Sequence, residues 1–146
     1  MIVTRITRLQ KSLNTRFCEW MLAFIMLGLG LMYALPEASM AAPAMMQMTY
    51  TMPETAWGIV SVVIGGVRIL VLGINGAWKK QGHARAVLGI LCLLVWTQTA
   101  IVFLNYPPAS PGDIIFPIFV ISELFLIFRA AKEAGVIDVV SDNGAD

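Results

Sequence analysis

The sequence predicts an all-α integral membrane protein: four transmembrane helices in an up-down antiparallel bundle, preceded by a basic amphipathic N-terminal helix. Composition is the first observation behind this prediction. Hydrophobic residues make up 58% of the 146 residues and charged residues make up 13%, about half the charged share of soluble domains. The second observation is four long apolar stretches, and the third is the placement of the basic residues. The length predicts a single domain, here a membrane domain of residues 1–146.

The four apolar stretches have the approximate length of membrane spans. A helix of roughly 20 apolar residues crosses a hydrocarbon core of about 30 Å. The second and third stretches reach this length easily, and the first and fourth are shorter. The predicted spans are residues 17–35, 56–78, 84–104 and 111–128, with an external loop at 36–55 and a tail at 129–146.

Local signals predict how these spans begin and end. The short connection 79–83 predicts that the second and third spans form an antiparallel hairpin. Ser110, followed by proline and then an acid at Asp113, is typical of a helix start. Pro117 is expected to bend the fourth helix, because it removes a backbone hydrogen bond. Gly135 is predicted to end that helix, before a loosely ordered acidic tail.

The basic residues predict the orientation of the helices. Nine of the ten Lys and Arg residues lie before the first span, around the connection of the second and third, or after the fourth. Cytoplasmic loops are enriched in these residues, so both termini are predicted to be cytoplasmic, in a membrane such as the bacterial inner membrane. Trp57 and Trp78 are 21 residues apart, about 31 Å along a helix, and are expected to anchor the second span in the two headgroup layers.

The N-terminal segment allows more than one interpretation. Apolar residues recur at helical spacing in residues 1–16, which predicts a basic amphipathic helix on the anionic cytoplasmic leaflet. The same segment could be only a flank that sets topology. Residues 1–41 also fit a cleavable signal peptide, with a basic start, an apolar core and small residues near the end. The basic residues of this segment are Arg5, Arg8, Lys11 and Arg16.

Arg68 is the charged residue in the middle of a span. It lies 11 residues after Trp57 and 10 before Trp78, near the bilayer midplane, where arginine costs about 2.5–3.5 kcal/mol on insertion scales. Such a residue needs a partner or a water-filled path. Gly65 and Gly66 are expected to let another helix approach closely. Helical spacing predicts one stripe that faces protein rather than lipid: Ser61, Gly65, Arg68, Leu72 and Asn75.

The predicted partner of Arg68 is Glu123 in the fourth span. Glu123 lies about 9 Å inside Arg129, and Arg68 lies about 15 Å from the same edge, so the Arg68 side chain or one water could bridge the difference. Thr97 and Gln98 of the third span could complete this intramembrane polar core. The pair could serve only to fix helix register and orientation, or it could belong to a pore, an ion path or a proton relay.

No catalytic, metal or cofactor motif is found in the sequence, so neither an enzyme, a cofactor nor a nucleic-acid partner is expected. His83 is the single histidine and lies in a basic connection. Cys18 and Cys92 fit no redox motif and are expected to be packing or lipid-facing residues. The external loop contains methionines that could bind Cu(I) or act as apolar filler: Met40, Met45, Met46, Met48 and Met52.

Several short motifs between Trp57 and Arg129 resemble one class of protein. They are Arg68-x3-Leu72-x2-Asn75-Gly76, then Arg85, then Trp96-Thr97-Gln98, then an acid in the last span. In these motifs the chain resembles small multi-span membrane proteins encoded by bacteriophages and prophages. The resemblance implies no defined activity, but it raises the expectation of a phage-related role, such as a lysis pore or an envelope component.

Three functions remain open from the sequence. The first is a non-enzymatic assembly or interaction component of the membrane, which forms a homo-oligomer or binds another membrane protein. The second is a holin-like pore, indicated by the intramembrane charges and the phage resemblance. The third is a small channel or transporter, which is weakened because the sequence contains no internal repeat of the kind that transporters use.

Overall fold

The computed structural model describes residues 16–35, 46–77, 82–105 and 110–142 of the chain, and the described part is helical, without strands. The predicted amphipathic helix of residues 1–16 lies outside the described residues, apart from Arg16. The elements are α1 (Phe17–Ala34), a short 3₁₀ helix (Gln47–Tyr50), α2 (Glu54–Ala77), α3 (Gly82–Asn105) and α4 (Gly112–Asp142).

The four long helices confirm the all-helical prediction. Each is long enough and apolar enough to cross a membrane, by length and composition. Large apolar side chains cover the outside of the bundle, as Leu31, Leu70, Leu94, Ile121 and Phe128 illustrate. So extensive an apolar surface is not tolerated on a soluble monomer, and it is the surface that lipid-facing helices require.

The fourth helix is longer than predicted. It runs without interruption through Pro117 and Gly135 to Asp142, so the predicted stop at Gly135 is wrong. An interior glycine costs a helix only about 1 kcal/mol, and packing can offset that cost. Ala130 and Ala134 are buried, and Ala134 lies directly against the backbone at Gly82, where α3 begins.

Ser110 and Asp113 mark the start of α4, as the sequence predicts, but the side chain that accepts the hydrogen bonds is that of Asp113. The backbone N–H of Ser110 donates to Asp113 Oδ2 (2.8 Å), and the Ser110 hydroxyl donates to Asp113 Oδ1 (3.2 Å). The backbone N–H of Asp113 in turn donates to the Ser110 carbonyl (3.0 Å). This reciprocal arrangement satisfies polar groups that the first turn of a helix would otherwise leave without partners.

Helices α1 and α2 form the first helix pair, which is packed backbone to backbone at glycines. A Cβ added at any of three glycines would lie only 2.5–2.7 Å from a backbone nitrogen of the other helix. The contacts follow opposite orders along the two helices. They are Gly65 against Leu27, Gly30 against Val62, and Gly58 against Ala34.

Helices α3 and α4 form the second helix pair, with the same kind of contact. Gly82 lies against Ala134 and Gly89 against Ile127, and in each case an added Cβ would lie 2.8 Å from an atom of α4. Aromatic rings fill the other end of this interface, with centroid separations of 4.8–6.1 Å: Trp96, Phe103, Phe116 and Phe119.

Contacts between the two helix pairs are less extensive than contacts within them. Helices α2 and α3, which the sequence predicts to be a hairpin, touch less closely than α1 with α2 or α3 with α4, and most of their connection lies outside the described residues. Trp57 also differs from the expected headgroup anchor. Its side chain is mostly buried, and its Nε1 donates to the carbonyl of Met48 (3.0 Å), so it holds the 3₁₀ helix onto the bundle.

Candidate functional site: buried ion pairs between the helix pairs

The stripe on α2 that the sequence predicts to face protein is buried. Ser61 is 2% exposed, Arg68 is 4% exposed and Leu72 is fully buried, while Gly65 packs against α1. The side chain of Asn75, the last member of the stripe, lies outside the described part of the structure. The stripe therefore turns inward over at least three helical turns.

Gly66 has no close helix neighbour in the described part of the chain, so the close approach that the sequence predicts for it stays a prediction. A Cβ built at Gly66 meets nothing within 4 Å, whereas one built at Gly65 lies 2.7 Å from the Leu27 backbone nitrogen. The reason is geometric, because consecutive residues of an α-helix point about 100° apart. Of the two glycines, only Gly65 is directed at α1, and Gly66 belongs to the outer surface of the chain.

Arg68 and Glu123 form the ion pair that the sequence predicts, here named the central pair. Arg68 Nη2 donates to Glu123 Oε2 (2.9 Å), and Arg68 Nη1 donates to Glu123 Oε1. Two parallel N–H···O bonds of this kind are the strongest arrangement available to a guanidinium and a carboxylate. Because Glu123 is fully buried, the pair is closed to solvent and joins α2 to α4.

Helix α3 contributes Cys92 and Trp96 to the surroundings of the central pair, and not the predicted Gln98. Cys92 lies beside Arg68, and Trp96 lies beside Glu123. Gln98 is six residues beyond Cys92, which turns it to a different face of the helix. Gly89 also lies close to the central pair, since a Cβ there would be in van der Waals contact with Glu123 Oε2 at 3.8 Å, although its tight contact is with Ile127 at 2.8 Å.

The indole N–H of Trp96 is the one polar group around the central pair without a hydrogen-bond acceptor of good geometry among the described residues. Trp96 is 1% exposed. A buried donor without an acceptor costs free energy. A small molecule that accepts a hydrogen bond from this N–H would therefore be stabilised beside the central pair.

A second cluster of charged residues joins α1, α3 and α4 and is here named the basic-end network. Its members are Arg16, Glu19, Arg85, Arg129 and Glu133. At its centre, Arg85 donates from Nε to Glu19 Oε2 (2.9 Å) and from Nη2 to Glu19 Oε1. The third contact of Arg85 runs from Nη1 to Glu133 Oε2 (2.5 Å). Arg85 and Glu19 are 5% and 3% exposed, so one buried guanidinium connects α1, α3 and α4.

Two further arginines share Glu133. Arg16 Nη2 contacts Glu133 Oε2 and Arg129 Nε contacts Glu133 Oε1, each at 3.3 Å. These contacts are longer and more exposed than those of Arg85. Burial, and after it the neighbouring Arg85, lowers the pKa of the Arg16 guanidinium, against the raising effect of Glu133 and Glu19. With three arginines and two glutamates, the network contains more positive charge than its carboxylates balance.

Sequence reasoning did not find this network. From the sequence, Arg85 is assigned only to topology and to the phage resemblance, and Glu19 is given no role. The signal was nevertheless present, because Glu19 is an acid three residues into an apolar helix, and an acid at that position needs a partner. What the sequence lacks is the identity of that partner, which depends on how α1 packs against α3.

The remaining candidate residues do not form a reactive site in the described part of the chain. His83 is exposed in the first turn of α3, and Cys18 and Cys92 are free thiols, exposed and buried respectively. No group of three or more His, Cys, Asp or Glu residues there could hold a metal ion. Met48 is buried as an apolar residue, while Met40 and Met45 lie outside the described residues, so copper binding by the methionines stays a prediction.

Comparison with known proteins gives no further constraint. No protein-family model matches the chain, and no curated protein or solved structure matches it. The conclusion that the fold itself supports is therefore the broad one: the chain has the four apolar helices of an integral membrane protein, joined by buried ion pairs.

Proposed function

We propose that this protein is a non-enzymatic assembly or interaction component of a bacterial inner membrane, with both termini in the cytoplasm and its helices in an up-down antiparallel bundle. One observation supports this function above the others. The charges of Arg68 and Glu123 satisfy each other completely, and Glu123 is fully buried. A path for solutes needs polar groups that face water, whereas a closed pair of this kind fixes how helices pack.

The outer surface of α2 supports assembly with a second copy or with another membrane protein. Gly66 and Gly73 are seven residues apart and therefore lie on one face of the helix. A Cβ at either position would meet nothing within 4 Å. Small residues on a membrane helix let a second helix approach closely, and among the described residues this face of α2 has no such neighbour at the two glycines.

A holin-like pore or small channel is the second candidate. It is favoured by Trp96, whose indole N–H lies beside Glu123 without an acceptor of good hydrogen-bond geometry, because a water molecule entering there could accept a hydrogen bond from it. The resemblance to phage membrane proteins points the same way. In this alternative, the central pair opens and its charges line the path.

Membrane potential and oligomeric mass together distinguish the two candidates. Controlled expression in bacteria should leave the membrane potential unchanged if the protein is an assembly component. A depolarisation that Arg68→Leu abolishes and Arg68→Lys preserves, at equal protein level, would overturn the proposal in favour of the pore.

Assembly through the outer face of α2 can be tested separately by measuring the oligomeric mass. The detergent-solubilised protein should have the mass of an oligomer or of a complex, and Gly66→Leu should shift it toward the monomer. Val67→Leu is the matched control, because Val67 is an adjacent exposed residue without the small side chain. A monomer at all concentrations, with no co-purifying membrane protein, would contradict the proposal.

A further inference from the structure

A groove lies between the start of α1 and the middle of α4, where the two helices make few contacts. Its volume is about 170 Å³. The walls are mainly apolar and include Phe17, Phe125 and Leu126, and Arg16 and Arg129 lie at the end next to the basic-end network. The groove therefore combines an apolar wall with two guanidinium groups.

Among the described residues, the charges around this groove are not balanced. The basic-end network contains three arginines and two glutamates, which leaves one positive charge in excess (three minus two). The two arginines that line the groove have the longest contacts in the network, 3.3 Å each, with a single shared carboxylate. Each guanidinium has five N–H donors, and Arg129 meets Glu133 through its Nε alone among the contacts described.

We propose that this groove binds an anionic phospholipid, with the phosphate between Arg16 and Arg129 and an acyl chain along Phe17 and Phe125. Basic pockets between membrane helices at a bilayer surface bind anionic headgroups, and a phosphodiester would supply the one negative charge that the network lacks. The apolar wall can pack against an acyl chain, but it would contribute nothing to the binding of a free phosphate ion. This inference rests on membrane insertion, and it is independent of the proposed assembly role.

The groove contains its own reporter. Cys18 lines it and is exposed, while Cys92 is fully buried beside the central pair. A neutral thiol reagent such as N-ethylmaleimide should therefore modify Cys18 in the empty groove and leave Cys92 intact as an internal measure of folding. Peptide mass spectrometry distinguishes the two sites, so neither cysteine has to be replaced.

The experiment compares the full chain in phosphatidylcholine vesicles with and without phosphatidylglycerol. A thiol that reacts only in the empty groove reacts about tenfold more slowly when nine-tenths of the sites are occupied. We expect phosphatidylglycerol to slow the modification of Cys18 to this extent in the unaltered protein. Unchanged modification of Cys18 would overturn the proposal.

Two variants separate a specific site from general surface charge. Arg129→Gln should abolish the protection of Cys18, because Arg129 lines the groove. Lys132→Gln is the matched control, since Lys132 is an exposed cation of the same helix outside the groove, and it should keep the protection. Equal loss in both variants, or no loss in Arg129→Gln while Cys92 stays unreactive, would overturn the site.

Inorganic phosphate distinguishes a lipid from a small anion. Added to phosphatidylcholine vesicles, it should leave the modification rate of Cys18 unchanged, because it provides no acyl chain for the apolar wall. Protection by inorganic phosphate equal to that by phosphatidylglycerol would overturn the lipid assignment and leave a simple anion site.

Discussion

The contacts within each helix pair and the contacts between the pairs differ in kind. Within the first pair, glycines such as Gly65 and Gly30 bring backbones together with no side chain between them. Between the pairs, charged side chains reach across: Arg68 to Glu123, and Arg85 to Glu19. A glycine contact can pack against many different apolar residues, whereas a buried charge needs one residue of opposite charge at one position. The glycines bring the two helices of the first pair close together, and the ion pairs determine how the first pair packs against the second.

The two ion-pair sites also differ from each other. The central pair joins one arginine to one glutamate in a closed environment, whereas the basic-end network distributes two glutamates among three arginines and is partly exposed at Glu133 (35% of the side chain). Removing the partner of a charge that has only one partner should lower the free energy of unfolding most. Removing one of several partners should lower it less.

Breaking the central pair should have the largest effect. Arg68→Leu leaves Glu123 buried without a partner, and such a change costs about 3–5 kcal/mol of folding free energy. Denaturant unfolding of the purified protein in detergent measures the change, with Arg129→Gln as a control at a more exposed arginine. A loss no greater than that of Arg129→Gln would show that the central pair does not stabilise the bundle.

Filling the glycine contacts should have the next largest effect, and only on the side that faces α1. Gly65→Leu drives a side chain into the Leu27 backbone, and overpacking of this kind costs about 1–3 kcal/mol or more. Gly66→Leu, the next residue, enters open space in the monomer and should change the unfolding free energy of monomeric protein by less than about 0.5 kcal/mol. Equal losses in both variants would contradict the packing of the first helix pair.

Within the basic-end network, burial should decide the size of the effect. Glu19→Gln removes the charge from a 3% exposed carboxylate and should cost about 1–3 kcal/mol. Glu133→Gln acts on a more exposed group, where ion pairs contribute only about 0–1 kcal/mol. The same unfolding measurement compares the two, and a larger loss for Glu133→Gln would mean that Glu133, and not Glu19, holds the network together.

The extent to which sequence predicted this structure follows from the same comparison. Arg68 and Glu123 could be matched because they are charges deep inside two long apolar stretches, at compatible depths. Glu19 and Arg85 could not, because charges near the ends of spans are also expected for topology alone. The glycines were visible in the sequence, but spacing does not say whether a neighbour faces Gly65 or Gly66.

The fourth helix illustrates the other kind of difference. Its start was predictable, because Ser110 and Asp113 form a cap from residues close in sequence. Its end was not, since the helix continues past Gly135, with Ala134 packed against Gly82 of α3 and Glu133 in the basic-end network. Local sequence signals determine a helix end only where tertiary contacts do not oppose them.

A double-mutant cycle on Arg68 and Glu123 tests most directly the claim that buried ion pairs join the two helix pairs. The unfolding free energies of Arg68→Leu, Glu123→Leu and the double variant would be measured in the same detergent. The double variant should be more stable than either single variant, because it leaves no unpaired buried charge, and the coupling energy should therefore exceed the larger single loss of about 3–5 kcal/mol. Losses that simply add would contradict this claim, since they would mean that Arg68 and Glu123 stabilise the bundle independently.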